Sequence, residues 1–167
     1  MRFEKVNFEQ WAMDMPVVGV PREILLRWYH NIKLPQQGTA HSMGVDFFMP
    51  YQVVVKAGNK VKIPTGIRWV NESTDDYYHG LILVPRSSVG IKKGMRLLNT
   101  VGIVDADYFE SYNEGHIMAF MENTTDEDVV LEKGQGFIQG IVTDFKIPIN
   151  SESYAQRNGG FGSTDNV

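Results

Sequence analysis

Asp105 and Tyr108 stand three residues apart in LLNTVGIVDADY (97–108), a stretch that alternates like a strand and turns near Asn99 to Gly102. A carboxylate placed there can orient a water molecule and take its proton, and an asparagine beside open backbone edges can grip a polar heterocycle. Upstream, VPRSSVGIKKG (84–94) follows the apolar run GLIL. Arg86, Ser87 and Ser88 therefore leave a buried strand into a turn or short helix, where a guanidinium, hydroxyls and amide N–H groups can meet an anion. The ending RNGGFGSTDNV (157–167) has the small, polar composition of a loose terminus. Yet its residue types suit a phosphorylated ligand: Arg157, Ser163 and Thr164 for phosphate, Gly162 for close backbone approach, Phe161 for stacking on a base. Together these are the groups that hold a nucleotide.

Such groups need a scaffold. PREILLRWYHN (21–31) predicts one short helix, with proline at its start and Ile24, Leu25 and Trp28 on one face. Most of the remainder reads as strands: YQVVVKAG, NKVKIPTGIRWV, YYHGLILV, MRLLNTVGIV, GHIMAFME and EDVVLEKG, separated by Gly, Pro, Asn and Asp. Repeated short strands of this kind point to an all-β sandwich, jelly roll or barrel. With 167 residues and 43% of them hydrophobic, one domain with a real core is expected over residues 1–150, residues 1–38 forming an N-terminal segment of uncertain role. NSESYAQRNGGFGSTDNV then reads as a flexible C-terminal arm over residues 151–167 rather than a second domain.

A formal charge of −4 and a pI near 5.5 argue against a partner of long nucleic acid, but a few local arginines and amides suffice for one triphosphate. The absence of cysteine excludes disulfides and thiolate metal sites, and fits a reducing compartment. The start MRFEKVNFEQW lacks the apolar stretch of a signal peptide, and no apolar run is long enough to span a bilayer. A soluble, cytoplasmic protein without a membrane partner is the expectation. The acidic clusters NESTDD (71–76) and NTTDED (123–128) lack the ligand alternation of a calcium loop and read as solvated connections. His30, His41, His79 and His116 stand singly, without the spacing of a zinc or iron site.

In order along the chain, SMGVD with Asp46, PRSS, NTVGIVDADY, EKGQGFIQG and RNGGFGST resemble the five motifs of the trimeric dUTP nucleotidohydrolases, the dUTPases. The resemblance runs from about Thr39 to Thr164. It implies a jelly-roll-like fold, a homotrimer with active sites at subunit interfaces, and hydrolysis of dUTP to dUMP and pyrophosphate with Mg²⁺. Such an activity limits uracil in DNA and supplies dUMP for dTTP synthesis. Carried over residue by residue, Asp105 matches the base that activates water; Arg86, Ser87 and Ser88 match the phosphate motif. Asn99 with the backbone of Gly102, Ile103 and Val104 matches a hairpin that pairs with uracil. Tyr108 matches the ring under the deoxyribose that leaves no room for a 2′-hydroxyl, Met118 an apolar contact, Gln139 the fourth motif's glutamine, and Asp46 a supporting carboxylate. Phe161 would stack on uracil, with Arg157, Gly162, Ser163 and Thr164 around the γ-phosphate. Mg²⁺ in this family is held chiefly by the phosphates and water rather than by protein ligands.

The chain departs from the family at several points. Gly134, Gln135 and Gly136 stand where Gly-Asp-Arg is common, Ser88 replaces a glycine, FESYNE enlarges the loop at 109–114, and the last motif is one residue shorter. A dCTP deaminase shares the fold but needs a glutamate where Phe120 stands, with Glu122 two residues on. The other alternative is a regulatory protein of the same fold that docks a protein partner through the 109–114 loop. Cellular and phage origins are both open to a sequence of this kind.

Overall fold

The computed structural model of the chain describes residues 1–72, 78–146 and 159. In chain order the elements are β1 (Arg2–Lys5), α1 (Phe8–Asp14), α2 (Arg22–His30), β2 (Gln36–Gln37), β3 (Val45–Phe48), β4 (Val53–Val55), β5 (Lys60–Val70), β6 (Tyr78–Pro85) and α3 (Ser87–Lys93). They continue with β7 (Met95–Leu97), β8 (Gly102–Val104), a 3₁₀ turn (Tyr108–Glu110), β9 (His116–Asn123), β10 (Val129–Leu131) and β11 (Gly136–Phe145). All strand pairs are antiparallel, in a four-stranded sheet β1-β5-β9-β7, a five-stranded sheet β2-β3-β11-β6-β8, and the small pair β10-β4. One buried cluster takes Ile63, Ile67, Ile117 and Met121 from the first sheet and Phe47, Leu81, Leu83 and Ile138 from the second, so the two sheets face each other across it. Gly140 of β11 lets that face close, since a Cβ there would stand 2.9 Å from both Leu81 and Phe47.

The fold class is the expected mostly-β one, and the structure adds two helices to the helix that the sequence predicts. Helix α2 forms as the apolar spacing requires: Pro21 precedes it, and the Asn31 N–H closes it on the Trp28 and Tyr29 carbonyls. Helix α1 is capped by Asn7, whose side chain accepts from the Gln10 N–H at 2.8 Å, and it ends before Pro16. Strands β1, β2, β3 and β11 go beyond the six runs read as strands. The stretch read as a hairpin is not one, because β7 pairs with β9 and β8 with β6.

Strand β5 carries the irregularity that places the N-terminal segment. Its register against β9 slips between Pro64 and Arg68, leaving backbone groups off the ladder. Side chains and the N-terminal segment satisfy them. The Trp11 indole donates to the Pro64 carbonyl at 3.1 Å, the Val6 N–H to the Gly66 carbonyl at 3.1 Å, and the Gly66 N–H to His116 Nε2 at 2.9 Å. Gly66 sits at φ 74°, and a Cβ on it would meet Ile32 at 2.3 Å. Val6, Trp11 and Ile32 of the N-terminal segment thus cover a bulge in the sheet.

Candidate functional site

Leu97 ends β7 in one sheet and Gly102 begins β8 in the other, so residues 98–101 cross between two edge strands at the mouth of the sandwich. The crossing is tight: Thr100 adopts φ 65°, a left-handed conformation that costs a β-branched residue about 1–3 kcal/mol. Strand β8 pairs on one side with β6, Gly102 opposite Leu83 and Val104 opposite Leu81, and among the described residues its other edge has no strand partner. Open N–H and C=O groups on such an edge can read a planar ring. Gly102 brings that edge close, as a Cβ would lie 3.0 Å from Leu83 Cβ.

A cavity of about 190 Å³ opens here, lined among others by Asn99, Gly102, Ile103, Val104, Tyr108 and Met118. All six were singled out from sequence, and the fold gathers them. A neighbouring cavity of about 370 Å³ shares Asn99, Gly102 and Met118 and adds Phe120. Asp105 is exposed just beyond the end of β8 and lines a third cavity of about 290 Å³ with Ile103 and Phe145. Its carbonyl accepts from the Tyr108 N–H at 3.1 Å, so a single turn joins the carboxylate to the ring.

A second group forms on the five-stranded sheet. Asp46 of β3 lies opposite Gln139 of β11, and Arg86, at the start of α3, places Nε 3.1 Å from Asp46 Oδ1. The Arg86 side chain lies over Gly136, where a Cβ would come within 2.4 Å of Nη1. Gly136, where the fourth motif commonly carries an arginine, leaves room for Arg86 and its pairing with Asp46. Gln135 acts as a turn lock, its Oε1 accepting from Lys93 Nζ at 3.3 Å and from the Glu132 N–H at 3.1 Å. Ser87 and Ser88 open α3, which has no side-chain cap hydrogen bond. Of this group, none lines the cavity that holds Tyr108 and Met118.

Glu122, on which the deaminase alternative leans, is paired with Arg96 at 2.7 Å across β7 and β9. The loop at 109–114 turns inward at Ser111 and Asn113, both buried, and leaves Tyr112 exposed. The cluster at 123–128 is a strand connection, with Asp128 paired to Lys56 at 2.6 Å. Arg157, Phe161, Gly162, Ser163 and Thr164 lie outside the described residues, as does most of the arm. His116, dismissed from the sequence as a lone histidine, is fully buried against Asp14, a partner 102 residues away that spacing along the chain does not reveal.

Residues 30–165 match the family model described as dUTPase. A deoxyuridine 5′-triphosphate nucleotidohydrolase of Lactococcus lactis is 38% identical over 137 residues, covering 80% of this chain and 89% of that protein. The Rickettsia felis enzyme of the same name is 34% identical over 138 residues, covering 78% and 87%. Among solved structures, a dUTPase from Streptococcus mutans superposes with a TM-score of 0.65 at 34% identity, covering 89% of this chain and 98% of that one.

Proposed function

The chain belongs to the dUTPase family and is a dUTP diphosphatase, and on that premise we propose that Asp105 is its base and the cavity at the β7–β8 crossing its deoxyuridine pocket. The observation that carries this assignment is the convergence of Asn99, Gly102, Tyr108 and Met118 on one cavity, with Asp105 one turn away. Uracil would pair with the open edge of β8 and Asn99. Buried donors and acceptors set for uracil would be left unpaired by cytosine, and that rejects it. Tyr108 would lie under the deoxyribose. Asp105 takes a proton from water as the water oxygen attacks the α-phosphorus; the bond from that phosphorus to the α–β bridging oxygen breaks, and pyrophosphate leaves.

Arg86, held by Asp46, with Ser87, Ser88 and Gln139, would counter the charge that grows on the phosphates. In a homotrimer, which the family resemblance implies, a neighbouring copy would bring this group to the pocket. Exposed apolar side chains beside the pocket, Leu98, Val101 and Ile103, suit such packing. The arm would close the site through Arg157, Phe161, Gly162, Ser163 and Thr164. A Mg²⁺ would arrive with the triphosphate and be ligated chiefly by its oxygens and water. Bound there, it would neutralise phosphate charge. The product dUMP would serve dTTP synthesis, and removal of dUTP would keep uracil from DNA. Among the described residues no helix is long and apolar enough to cross a membrane.

The test is pyrophosphate release from dUTP, dCTP, dTTP and UTP with Mg²⁺, for the wild type and Asp105→Asn. Release from dUTP alone, reduced about 10²- to 10⁴-fold in the variant, is the expected outcome. Equal rates for the two proteins would remove Asp105 from the mechanism.

A further inference from the structure

Helix α1 is tied at its start to the loop that carries Tyr108 and at its end to the first residue of β9, which follows that loop. At its start, the Asn7 N–H donates to Glu114 Oε2 at 2.9 Å, and the Asn7 side-chain amide donates to Oε1 of the same carboxylate. At its end, Asp14 Oδ2 lies 2.6 Å from His116 Nδ1. The ring's other nitrogen faces the Gly66 N–H, which can only donate; Nε2 is therefore the acceptor, and the proton sits on Nδ1, directed at Asp14. The His116 ring is fixed between the bulge of β5 and α1 with no exposed surface. Its carbonyl accepts from the Tyr108 hydroxyl at 3.2 Å, and the same hydroxyl accepts from Asn113 Nδ2 at 2.9 Å.

We propose that Asp14, His116 and Asn113 are positioning residues that hold the Tyr108 ring at a set height in the nucleotide pocket and so determine discrimination against a 2′-hydroxyl. The inference rests on the assignment of Tyr108 as the floor under the sugar. Exclusion by shape works only while the floor does not yield: a ring free to drop by about 1 Å would admit one more oxygen. Ring stacking alone leaves a tyrosine free to slide. Two hydrogen bonds at the hydroxyl, one of them to a backbone that is itself pinned through the His116 ring, remove that freedom. The brace explains why the chain combines an N-terminal helix with a long loop beside the site. Asn7 and Asp14 flank a helix whose Trp11 is anchored on the bulge, and Glu114 and His116 flank the turn at Gly115, where a Cβ would strike Phe109 Cα at 2.4 Å.

The experiment measures kcat and KM for dUTP and UTP in the full-length enzyme carrying Asp14→Ala, Asn113→Ala, Asp14→Asn or Tyr108→Phe. In Asp14→Ala, which also loses the Gln10 contact, and in Asn113→Ala, which also loses the Gly115 N–H contact, the ratio of kcat/KM for UTP to that for dUTP rises about tenfold, a change of the size of one buried hydrogen bond. The rise comes through the KM for UTP. Asp14→Asn, whose side-chain carbonyl still accepts from Nδ1–H, stays near the wild type. Tyr108→Phe raises the ratio as well, and adding Asp14→Ala to it raises it no further. A merely structural role would lower kcat/KM for both nucleotides together, and a ratio unchanged within twofold in both alanine variants overturns the proposal. Should Asp14→Ala not fold, Asn113→Ala leaves the α1 contacts intact and decides alone. If the wild type itself does not hydrolyse dUTP, the failure belongs to the activity assignment. The brace is then read by amide hydrogen exchange over residues 108–114 and 116, leaving out Gly115 because its N–H donates to Asn113 Oδ1 directly; faster exchange in Asn113→Ala supports it and unchanged protection overturns it.

Discussion

Tyr108 reaches its pocket from a loop fastened to the N-terminal helix at Glu114 and His116, with every tie spanning about a hundred residues, whereas Arg86 leans over a glycine and is held by one ion pair with 37% of its side chain exposed. Under the proposed assignment, the two ends of the nucleotide ask for different mechanics. A base and sugar must be rejected by shape, so their walls are buried and over-determined. A triphosphate carries charge that moves during the reaction, so its clamp needs only the right sign at the right place, with a side chain able to follow. Rigidity is spent where discrimination happens.

Damage to the braced region should therefore register in stability, and damage to the clamp in turnover. Trp11 is wholly buried, donates to the Pro64 carbonyl and packs on Tyr29 at 5.9 Å between ring centroids. Trp11→Ala is expected to cost about 3–5 kcal/mol, lowering the melting temperature by roughly 10 °C in a thermal scan. A shift under about 2 °C would show that α1 is not a structural part of the pocket. On the other side, Arg86→Gln should lower the melting temperature only by about 2–4 °C, because the guanidinium is partly exposed and the glutamine amide can still donate to the largely buried Asp46 carboxylate. Its kcat for dUTP should fall about a hundredfold. Steady-state kinetics beside the same scan separates the two, and a large loss of stability would place Arg86 with the braced region instead.

The same contrast governs what the sequence discloses. The candidate site could be proposed from sequence because its residues are local: Asn99, Gly102 and Tyr108 lie within ten residues, and PRSS gives Arg86 its neighbours. So were α2 and the long strands β5, β6 and β9, whose periodicity is strong. Local alternation on both sides of Asn99 could not tell a hairpin from two strands in opposite sheets, since either choice buries Leu97 and Val104 alike. Strand β11 escaped because Gly136 and Gly140 interrupt its apolar pattern; both glycines answer to neighbours from elsewhere in the chain, Arg86 in one case and Leu81 with Phe47 in the other. His116 looked isolated for the same reason. Its two ring partners, Gly66 and Asp14, are 50 and 102 residues away.

Gly136 offers a milder way to test the clamp. In Gly136→Ala the new methyl would come within 2.4 Å of Arg86 Nη1, and the guanidinium, being at the flexible end of its side chain, would swing aside rather than strain the sheet. About a tenfold fall in kcat/KM for dUTP is expected, with little change in melting temperature. An Arg86 that did not matter to phosphate would leave both untouched.

The smallest effect is the pH dependence of the brace. Burial pushes the Asp14 carboxyl up, but hydrogen bonds with His116 and Gln10, aided by the charge of Lys62, outweigh it and hold the group below its ordinary value. A carboxylate whose folded pKa is depressed adds stability that is complete above the unfolded value, about 4, and is lost as pH falls through the folded one. Between about pH 5 and pH 3 the melting temperature of the wild type should therefore drop more steeply than that of Asp14→Asn, which keeps the acceptor for His116 and has no proton to take up. Parallel curves would mean that Asp14 holds His116 as a dipole rather than as a charge. The brace would then be insensitive to pH through this residue, and the contrast between a rigid pocket and a charged clamp would be sharper still.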